Sequence, residues 1–186
     1  MKLVLVRHGD TEWSPFRRLA GRTNLLLTEA GEANAGKLGD RLAKHGPFDR
    51  VYTSPLDRAK RTAVLAGYPD ALVDERLIEM DFGSYEGQTV QEIRVQRPGY
   101  AYLKDGAPNG EDAAALGRRA DGWLADQNPD HTILVFAHSV ILRVLTARYL
   151  QFPPEGGRHF FFAPAAIAVL GWEPVDDAPA IQGWNL

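Results

Sequence analysis

The chain has 186 residues, a length that suits one well-packed domain and is short for two. It contains no cysteine, which excludes disulfides, zinc sites built on thiolates, and phosphatases that use a cysteine nucleophile. The formal net charge is -3, without the basic footprint of a nucleic-acid-binding protein, so we expect no nucleic-acid partner. The first apolar run, Leu3–Val6, is too short for a signal peptide or a membrane-spanning helix, so we expect a cytoplasmic protein with no membrane partner.

Predicted strands and helices alternate along the chain. The first half is predicted to hold a strand at Leu3–Val6, a helix from Thr28 to about Lys44, a strand at Arg50–Thr53, a helix from Ser54 (its N-cap) to Ala66, and a strand at Ala71–Val73. The second half is predicted to hold helices at Gly87–Arg97 and Glu111–Asp126, a strand at Thr132–Ala137, a helix ending at Tyr149, and strands at Ala166–Trp172 and Ile181–Trp184. Such alternation predicts a three-layer α/β/α sandwich around a mostly parallel central sheet. An edge strand near Ala166 could pair with a second copy, so a homo-oligomer stays open.

Three residues capable of phosphate chemistry follow three of the predicted strands. His8 follows the first strand, Arg58 lies just past the second, and His138 follows the apolar strand Thr132–Ala137. In parallel sheets, ligands bind beyond the carboxyl ends of the strands. We therefore expect these three side chains to meet at one edge of one sheet.

Four motifs occur in order between Lys2 and about Arg143. They are Leu5–Trp13 with an Arg-His-Gly core, Ser54–Ala63 with an arginine, Leu77–Gly87 with acidic residues, and Val135–His138 with a second histidine. Together they resemble the histidine phosphatase superfamily, the phosphoglycerate-mutase-like proteins. The resemblance implies a phosphoglycerate-mutase-like fold and a single histidine phosphatase domain over residues 1–186.

The resemblance also implies a phosphatase with His8 as its nucleophile. A neutral imidazole can attack a phosphomonoester dianion without the repulsion that an anionic nucleophile meets. Arg7, Arg58 and His138 would surround the phosphoryl oxygens and neutralise their charge. Because the arginines take that role, we expect no metal and no other cofactor.

The acid motif supplies the proton donor in this interpretation. Glu79 is the candidate that protonates the leaving alkoxide and later activates water, with Asp81 as a weaker candidate. The Leu-x-Glu-x-x-Phe-Gly spacing of the family favours Glu79. Four further residues are expected to bind substrate: Ser14, Arg18, Gly21 and Ser139.

Several positions depart from the family pattern. Ser14 stands where many relatives carry asparagine, Ser139 stands where glycine usually follows the second histidine, and Ala20 stands where mutases use threonine to bind the substrate carboxylate. The stretch between Glu79 and His138 is also shorter than in cofactor-dependent mutases, where an insertion covers the site. An open site admits water and favours hydrolysis, so the chain is most similar to a phosphatase branch with broad acid phosphatase and sedoheptulose-bisphosphatase-like members.

Two alternatives remain at this stage. One is a cofactor-dependent phosphoglycerate mutase, and the other is a catalytically idle phosphate-binding or scaffold module. The expected partner of the favoured phosphatase is a small phosphorylated metabolite. Three arginines within six residues could favour a substrate with a second anionic group, although a solvated basic loop explains them as well: Arg17, Arg18 and Arg22.

Overall fold

The computed structural model describes all residues from Met1 to Leu186. Its centre is a six-stranded sheet made of β1 (Lys2–Arg7), β2 (Arg50–Thr53), β3 (Leu72–Val73), β4 (Thr132–Ala137), β5 (Ile167–Glu173) and β6 (Ala178–Gly183). The strands lie in the order β3-β2-β4-β1-β5-β6. The pairs among β1 to β4 are parallel, whereas β5 pairs antiparallel with β1 on one side and with β6 on the other. The predicted α/β fold with a mostly parallel sheet is confirmed.

Helices surround this sheet on both faces. They are α1 (Glu29–Gly36), α2 (Leu38–Leu42), α3 (Asp57–Leu65), α4 (Val90–Gln96), α5 (Tyr102–Asp105), α6 (Ala113–Ala125) and α7 (Ser139–Tyr149). Short 3-10 turns occur at Glu75–Leu77, Gly83–Tyr85 and Pro154–His159. None of these helices has the length and apolarity needed to cross a lipid bilayer.

The central strands β1 and β4 contribute to two separate cores. In β1, Leu3 and Leu5 pack into the core beneath α6 and α7, whereas Val4 and Val6 pack into the core beneath α1 to α3. This alternation is the period of two expected for a strand buried on both faces. Burial of each such side chain contributes about 1.5–3 kcal/mol, so the register of β1 against β4 is strongly fixed. The carboxyl ends of the two strands are thereby held level.

The first two predicted helices differ from the observed ones. Thr28 does cap α1, since its hydroxyl accepts from Gly31 N at 3.0 Å, but the helix is interrupted at Lys37 and α2 continues from there. The prediction that Ser54 caps the next helix is wrong, because α3 begins only at Asp57. The Ser54 hydroxyl instead contacts His138.

Later elements also correct the prediction. The strand near Ala166 is not an edge strand, because β5 lies between β1 and β6. Helix α4 is shorter than predicted and starts at a capping box formed by Thr89 and Glu92. Helix α6 begins at Ala113 with Asp112 as its N-cap, which leaves Glu111 outside the helix.

Candidate active site

The two histidines predicted to share a site lie side by side. In the β1–β4 pairing Arg7 stands opposite Ala137, and each histidine is the next residue of its chain segment. His8 N donates to Ala137 O at 3.0 Å, which extends the pairing by one position. The two ring centroids are 5.1 Å apart, with their planes tilted by 57°. One tetrahedral anion in front of His8 therefore lies within reach of both segments.

The His8 ring is held in one tautomer. Nδ1 lies 2.7 Å from Gly9 O, and a carbonyl oxygen only accepts, so Nδ1 carries the proton. Nε2 then keeps its lone pair and makes no hydrogen bond within the protein. Helix α1 packs closely against this position, since a Cβ on Gly9 would lie 2.5 Å from Gly31 O. The arrangement presents an oriented, neutral nitrogen nucleophile.

Arg58 is buried in the first turn of α3 and is held at three of its nitrogens. Its two terminal nitrogens donate to Gly21 O and Thr23 O, at 2.7 Å each, and Nε donates to His138 Nδ1 at 3.1 Å. Because Nδ1 accepts, the His138 proton resides on Nε2, which lies 2.6 Å from the Ser54 hydroxyl. Donation from His138 to a phosphoryl oxygen thus requires the Nε2 proton to leave the Ser54 hydroxyl, which refines the simple donor role expected from the sequence.

Arg7 ends β1 at the base of the same cavity. One terminal nitrogen donates to Phe162 O at 2.5 Å, and Nε is buried without a partner. A buried N–H without a partner costs about 1–3 kcal/mol. The other terminal nitrogen makes no bond to the protein and is available to an anion. Arg7 and Arg58 therefore place two guanidinium groups beside the His8 ring.

Burial and these cations keep both imidazoles neutral. The pKa of His8 lies well below its ordinary value of 6.5, first because of burial and then because of Arg7 and Arg58. The pKa of His138 is lowered well below 6.5 in the same way, with burial first and Arg58 next. A neutral His8 retains its nucleophilic lone pair even in mildly acidic solution.

These depressed pKa values predict a loss of stability in acid. Below pH 6.5 the unfolded chain binds protons on both histidines that the native protein does not bind, so the free energy of unfolding falls as pH drops. Between about pH 7.5 and pH 5.5, each histidine removes about 1 kcal/mol. Urea unfolding at both pH values should show a smaller loss, by that amount, in His8→Asn than in the wild type. Equal losses in the two proteins would contradict the buried neutral state of His8.

Glu79, the predicted general acid, lies at the N-terminus of α7. Its Oε1 accepts from Met80 N at 2.9 Å and from Ile141 N at 3.0 Å, and its Oε2 accepts from Val140 N at 3.0 Å. Oε2 therefore keeps an acceptor site for proton exchange with a group in the cavity. Asp81, the weaker candidate, does not line the cavity, and its carboxylate accepts from Gly83 N at 2.8 Å.

Sequence analysis missed the residue that supports the Glu79 segment. Arg119 of α6 donates to Arg76 O at 2.7 Å and to Ile78 O at 2.9 Å, and it forms a two-point ion pair with Glu111 at 2.9 Å. A forked guanidinium can bind several carbonyls of a loop at once. No motif or spacing in the sequence indicated this role for Arg119.

The surrounding cavity has a volume of about 680 Å³. Eight of the nine predicted site residues line the cavity: Arg7, His8, Ser14, Arg18, Gly21, Arg58, Glu79 and Ser139. The ninth, His138, lies buried behind His8. Ser14 Oγ accepts from Thr11 N at 3.0 Å, which closes the turn after the nucleophile. No group of three or more His, Cys, Asp or Glu side chains is arranged to hold a metal ion.

Comparison with known proteins identifies the family. The sequence profile of the histidine phosphatase superfamily, branch 1, matches residues 3–186. An acid phosphatase of Mycobacterium tuberculosis is 35% identical over 178 residues, which cover 92% of this chain and 87% of the relative. A probable phosphoglycerate mutase of Cronobacter sakazakii is 29% identical over 93% of this chain and 86% of its own length.

Solved structures agree with the sequence relatives. The structure of an open reading frame product from Mycobacterium tuberculosis has a TM-score of 0.94 at 33% identity, and the match covers 100% of this chain and 97% of the other. A phosphoserine phosphatase of Entamoeba histolytica, in complex with 3-phosphoglyceric acid, has a TM-score of 0.84 at 27% identity over 100% and 96% of the two chains. The phosphoserine phosphatase thus carries a fold similar to the one described above and binds a phosphorylated small molecule. This chain belongs to branch 1 of the histidine phosphatase superfamily, and its activity is that of a phosphatase.

Proposed function

We propose that this protein is a metal-independent phosphatase that hydrolyses small phosphomonoesters through a phosphohistidine on His8, with residues 1–186 acting as one catalytic domain. The observation that carries the proposal is the free Nε2 of His8, whose ring is oriented by Gly9 O and flanked by Arg7 and Arg58. A neutral nitrogen nucleophile between two guanidinium groups suits attack on a dianionic phosphoryl group.

In the first step, the lone pair of His8 Nε2 forms a bond to phosphorus while the ester P–O bond breaks. The leaving alkoxide takes a proton from the Glu79 carboxyl group. Negative charge on the three equatorial oxygens is stabilised by Arg7 and Arg58, which are fixed before the substrate arrives and need no rearrangement. The products are an alcohol and a phosphohistidine.

In the second step, Glu79 takes a proton from water as the water oxygen attacks phosphorus. The P–N bond breaks and inorganic phosphate is released. His8 recovers its neutral form, and its Nδ1 keeps its proton and donates it to Gly9 O throughout. The Glu79 carboxyl group thus ends each cycle in the protonation state in which it began.

The wall of the cavity favours water over a returning alcohol as the phosphoryl acceptor. Ala20 lines it with a methyl group and offers no hydrogen bond to a substrate carboxylate. The mutase alternative is tested by incubating 3-phosphoglycerate with a trace of 2,3-bisphosphoglycerate. If the protein is a phosphatase, inorganic phosphate should accumulate faster than 2-phosphoglycerate. The reverse order would show that the protein is a mutase.

The proposed reaction is tested with p-nitrophenyl phosphate and a panel of phosphorylated metabolites in the presence of EDTA. Retained activity is expected, together with a phosphorylated protein that is trapped by rapid denaturation and mapped to His8. Loss of activity with EDTA, restored by a divalent cation, would contradict the metal-independent mechanism. Tight phosphate binding without any trapped phosphohistidine would favour the idle module.

Arginines at the entrance of the cavity also influence which substrates bind. Arg18 donates to Gly87 O and lies 3.7 Å from Glu92, so its charge is partly neutralised. Arg22 points away from the cavity toward acidic partners. Arg17 lines the cavity, is exposed, and makes no ion pair or hydrogen bond through its side chain. The proposed substrates therefore include phosphomonoesters with a second anionic group that Arg17 attracts.

This preference gives a prediction for Arg17→Gln. The variant should lose about 3- to 10-fold in kcat/KM for 3-phosphoglycerate but little for glycerol 3-phosphate, which lacks the carboxylate, because an exposed charge contributes only modestly. Arg50→Gln makes the same change of charge at the start of β2, at the opposite end of the sheet, and should leave both values unaltered. An equal loss for both substrates would show that Arg17 does not distinguish the second anion.

A further inference from the structure

The carbonyls that hold Arg58 belong to a short segment, the Gly21–Thr23 loop. Gly21 O and Thr23 O each accept from a terminal nitrogen of Arg58 at 2.7 Å. These two bonds fix the plane of the guanidinium, since its third anchor, His138, contacts only Nε. The direction in which Arg58 presents its remaining N–H groups thus depends on the position of this loop.

The loop is held in turn by the carboxylate of Glu86. Oε1 accepts from Arg22 N at 2.7 Å, and Oε2 accepts from Thr23 N at 2.9 Å and from Thr23 Oγ1 at 2.5 Å. Gly21 adopts a left-handed φ of 50°, and a Cβ there would overlap the Glu86 carboxylate. The Glu86 carboxylate therefore accepts three hydrogen bonds from the loop and packs directly against Gly21, which fixes the position of the loop.

Glu86 is itself well anchored and lies outside the cavity. It follows the 3-10 turn Gly83–Tyr85, and its neighbour Gly87 donates through N to Leu19 O at 2.8 Å, which ties the two segments together. Glu86 is not among the residues that line the cavity. Its negative charge also counteracts the lowering of the Arg58 pKa by burial, as does that of Glu79. Glu86 thus acts on Arg58 both through the loop and through its charge.

We infer that Glu86 is a positioning residue for the phosphatase reaction: it fixes the Gly21–Thr23 loop, whose carbonyls aim Arg58 at the phosphoryl group. This inference rests on the proposed function, because it assigns Arg58 to the phosphoryl oxygens. It goes beyond that function by adding a residue that never touches the substrate.

The test is Glu86→Gln, which replaces one of the two carboxylate oxygens that accept separately from Arg22 N and Thr23 N with an NH₂ group. Its NH₂ group would face a backbone donor, so the loop should shift. We expect kcat/KM for p-nitrophenyl phosphate to fall about 10- to 100-fold, as small misplacements of catalytic groups do. The affinity for orthovanadate, measured by isothermal titration calorimetry, should fall as well, with the melting temperature close to that of the wild type.

A matched control exists in the turn between β5 and β6. The Glu173 carboxylate likewise accepts from two backbone N–H groups, those of Val175 at 2.8 Å and Asp176 at 2.7 Å, but it lies away from the cavity. Glu173→Gln makes the same chemical change and should leave kcat/KM and vanadate affinity unaltered. Should Glu86→Gln fail to fold, Thr23→Val removes only the hydroxyl contact and should give a smaller loss of the same kind.

A double-mutant cycle separates positioning from a general structural role. In an Arg58→Lys background the forked group that binds the loop carbonyls is gone, so Glu86→Gln should cause little further loss. An equal loss in both backgrounds, or unaltered vanadate affinity in Glu86→Gln, would overturn the inference. Vanadate binding does not require turnover, so the role of Glu86 is judged even if no phosphohistidine forms and the proposed function itself fails.

Discussion

Replacing His8 with alanine is expected to lower kcat for p-nitrophenyl phosphate by more than about 10⁴-fold. The variant lacks the Nε2 lone pair, and the second imidazole cannot replace it, because His138 has both ring nitrogens engaged in the protein. Trapping experiments should find no phosphorylated protein. The two arginines stay in place, so orthovanadate should still bind.

His159→Ala provides the control for this loss. His159 is exposed at the end of the 3-10 turn Pro154–His159 and does not line the cavity, so its removal should leave kcat unaltered. A His8→Ala protein that is folded and retains wild-type turnover would refute the covalent mechanism. If His8→Ala binds vanadate but does not turn over substrate, His8 is the nucleophile and the anion is bound by other groups, Arg7 and Arg58.

Replacing Glu79 with glutamine is expected to produce the second large effect, and its size should depend on the leaving group. For alkyl phosphates, kcat should fall about 10²- to 10⁴-fold, because the alkoxide loses its proton donor. For p-nitrophenyl phosphate the first step needs little protonation, since p-nitrophenolate is a stable anion. The second step still lacks its base, so a burst of p-nitrophenol should precede slow turnover and the phosphohistidine should accumulate.

Asp81→Asn distinguishes the two carboxylates of the acid motif. Asp81 caps Gly83 N and faces Arg22 at 3.4 Å rather than the cavity, so its variant should keep the leaving-group dependence of the wild type. A burst of p-nitrophenol in Asp81→Asn and none in Glu79→Gln would show that Asp81, and not Glu79, is the general acid and base. Thermal melts of Glu79→Gln are needed beside the kinetics, because the new amide would face Val140 N–H.

The parts of the fold that the sequence predicts best are those governed by local patterns. The apolar runs of β1 and β4 place His8 and His138 at neighbouring strand ends, and burial on both faces leaves little choice of register. The helix boundaries were less well predicted. Ser54-Pro55 has the composition of a helix start, yet the tertiary contact of Ser54 with His138 takes that hydroxyl, and α3 begins three residues after it.

The supporting shell of the site could not be read from the sequence. Arg119 and Glu86 resemble ordinary surface charges until the chain folds, because their partners lie 41 and 63 residues away, at Ile78 and Thr23. No periodicity or spacing links such positions. Motifs identify the residues that we propose to contact the phosphoryl oxygens, whereas the residues that orient them emerge only from long-range packing.

The contribution of β1 to two cores has a consequence for motion. Strands that are buried on both sides open only when the whole domain unfolds, whereas exposed loops open locally at little cost. His8 and His138 are attached directly to such strands, while the wall residues Pro15 and Arg17 are exposed. Local opening at these residues should thus widen the entrance of the cavity, while the strand ends that carry the two histidines stay rigid.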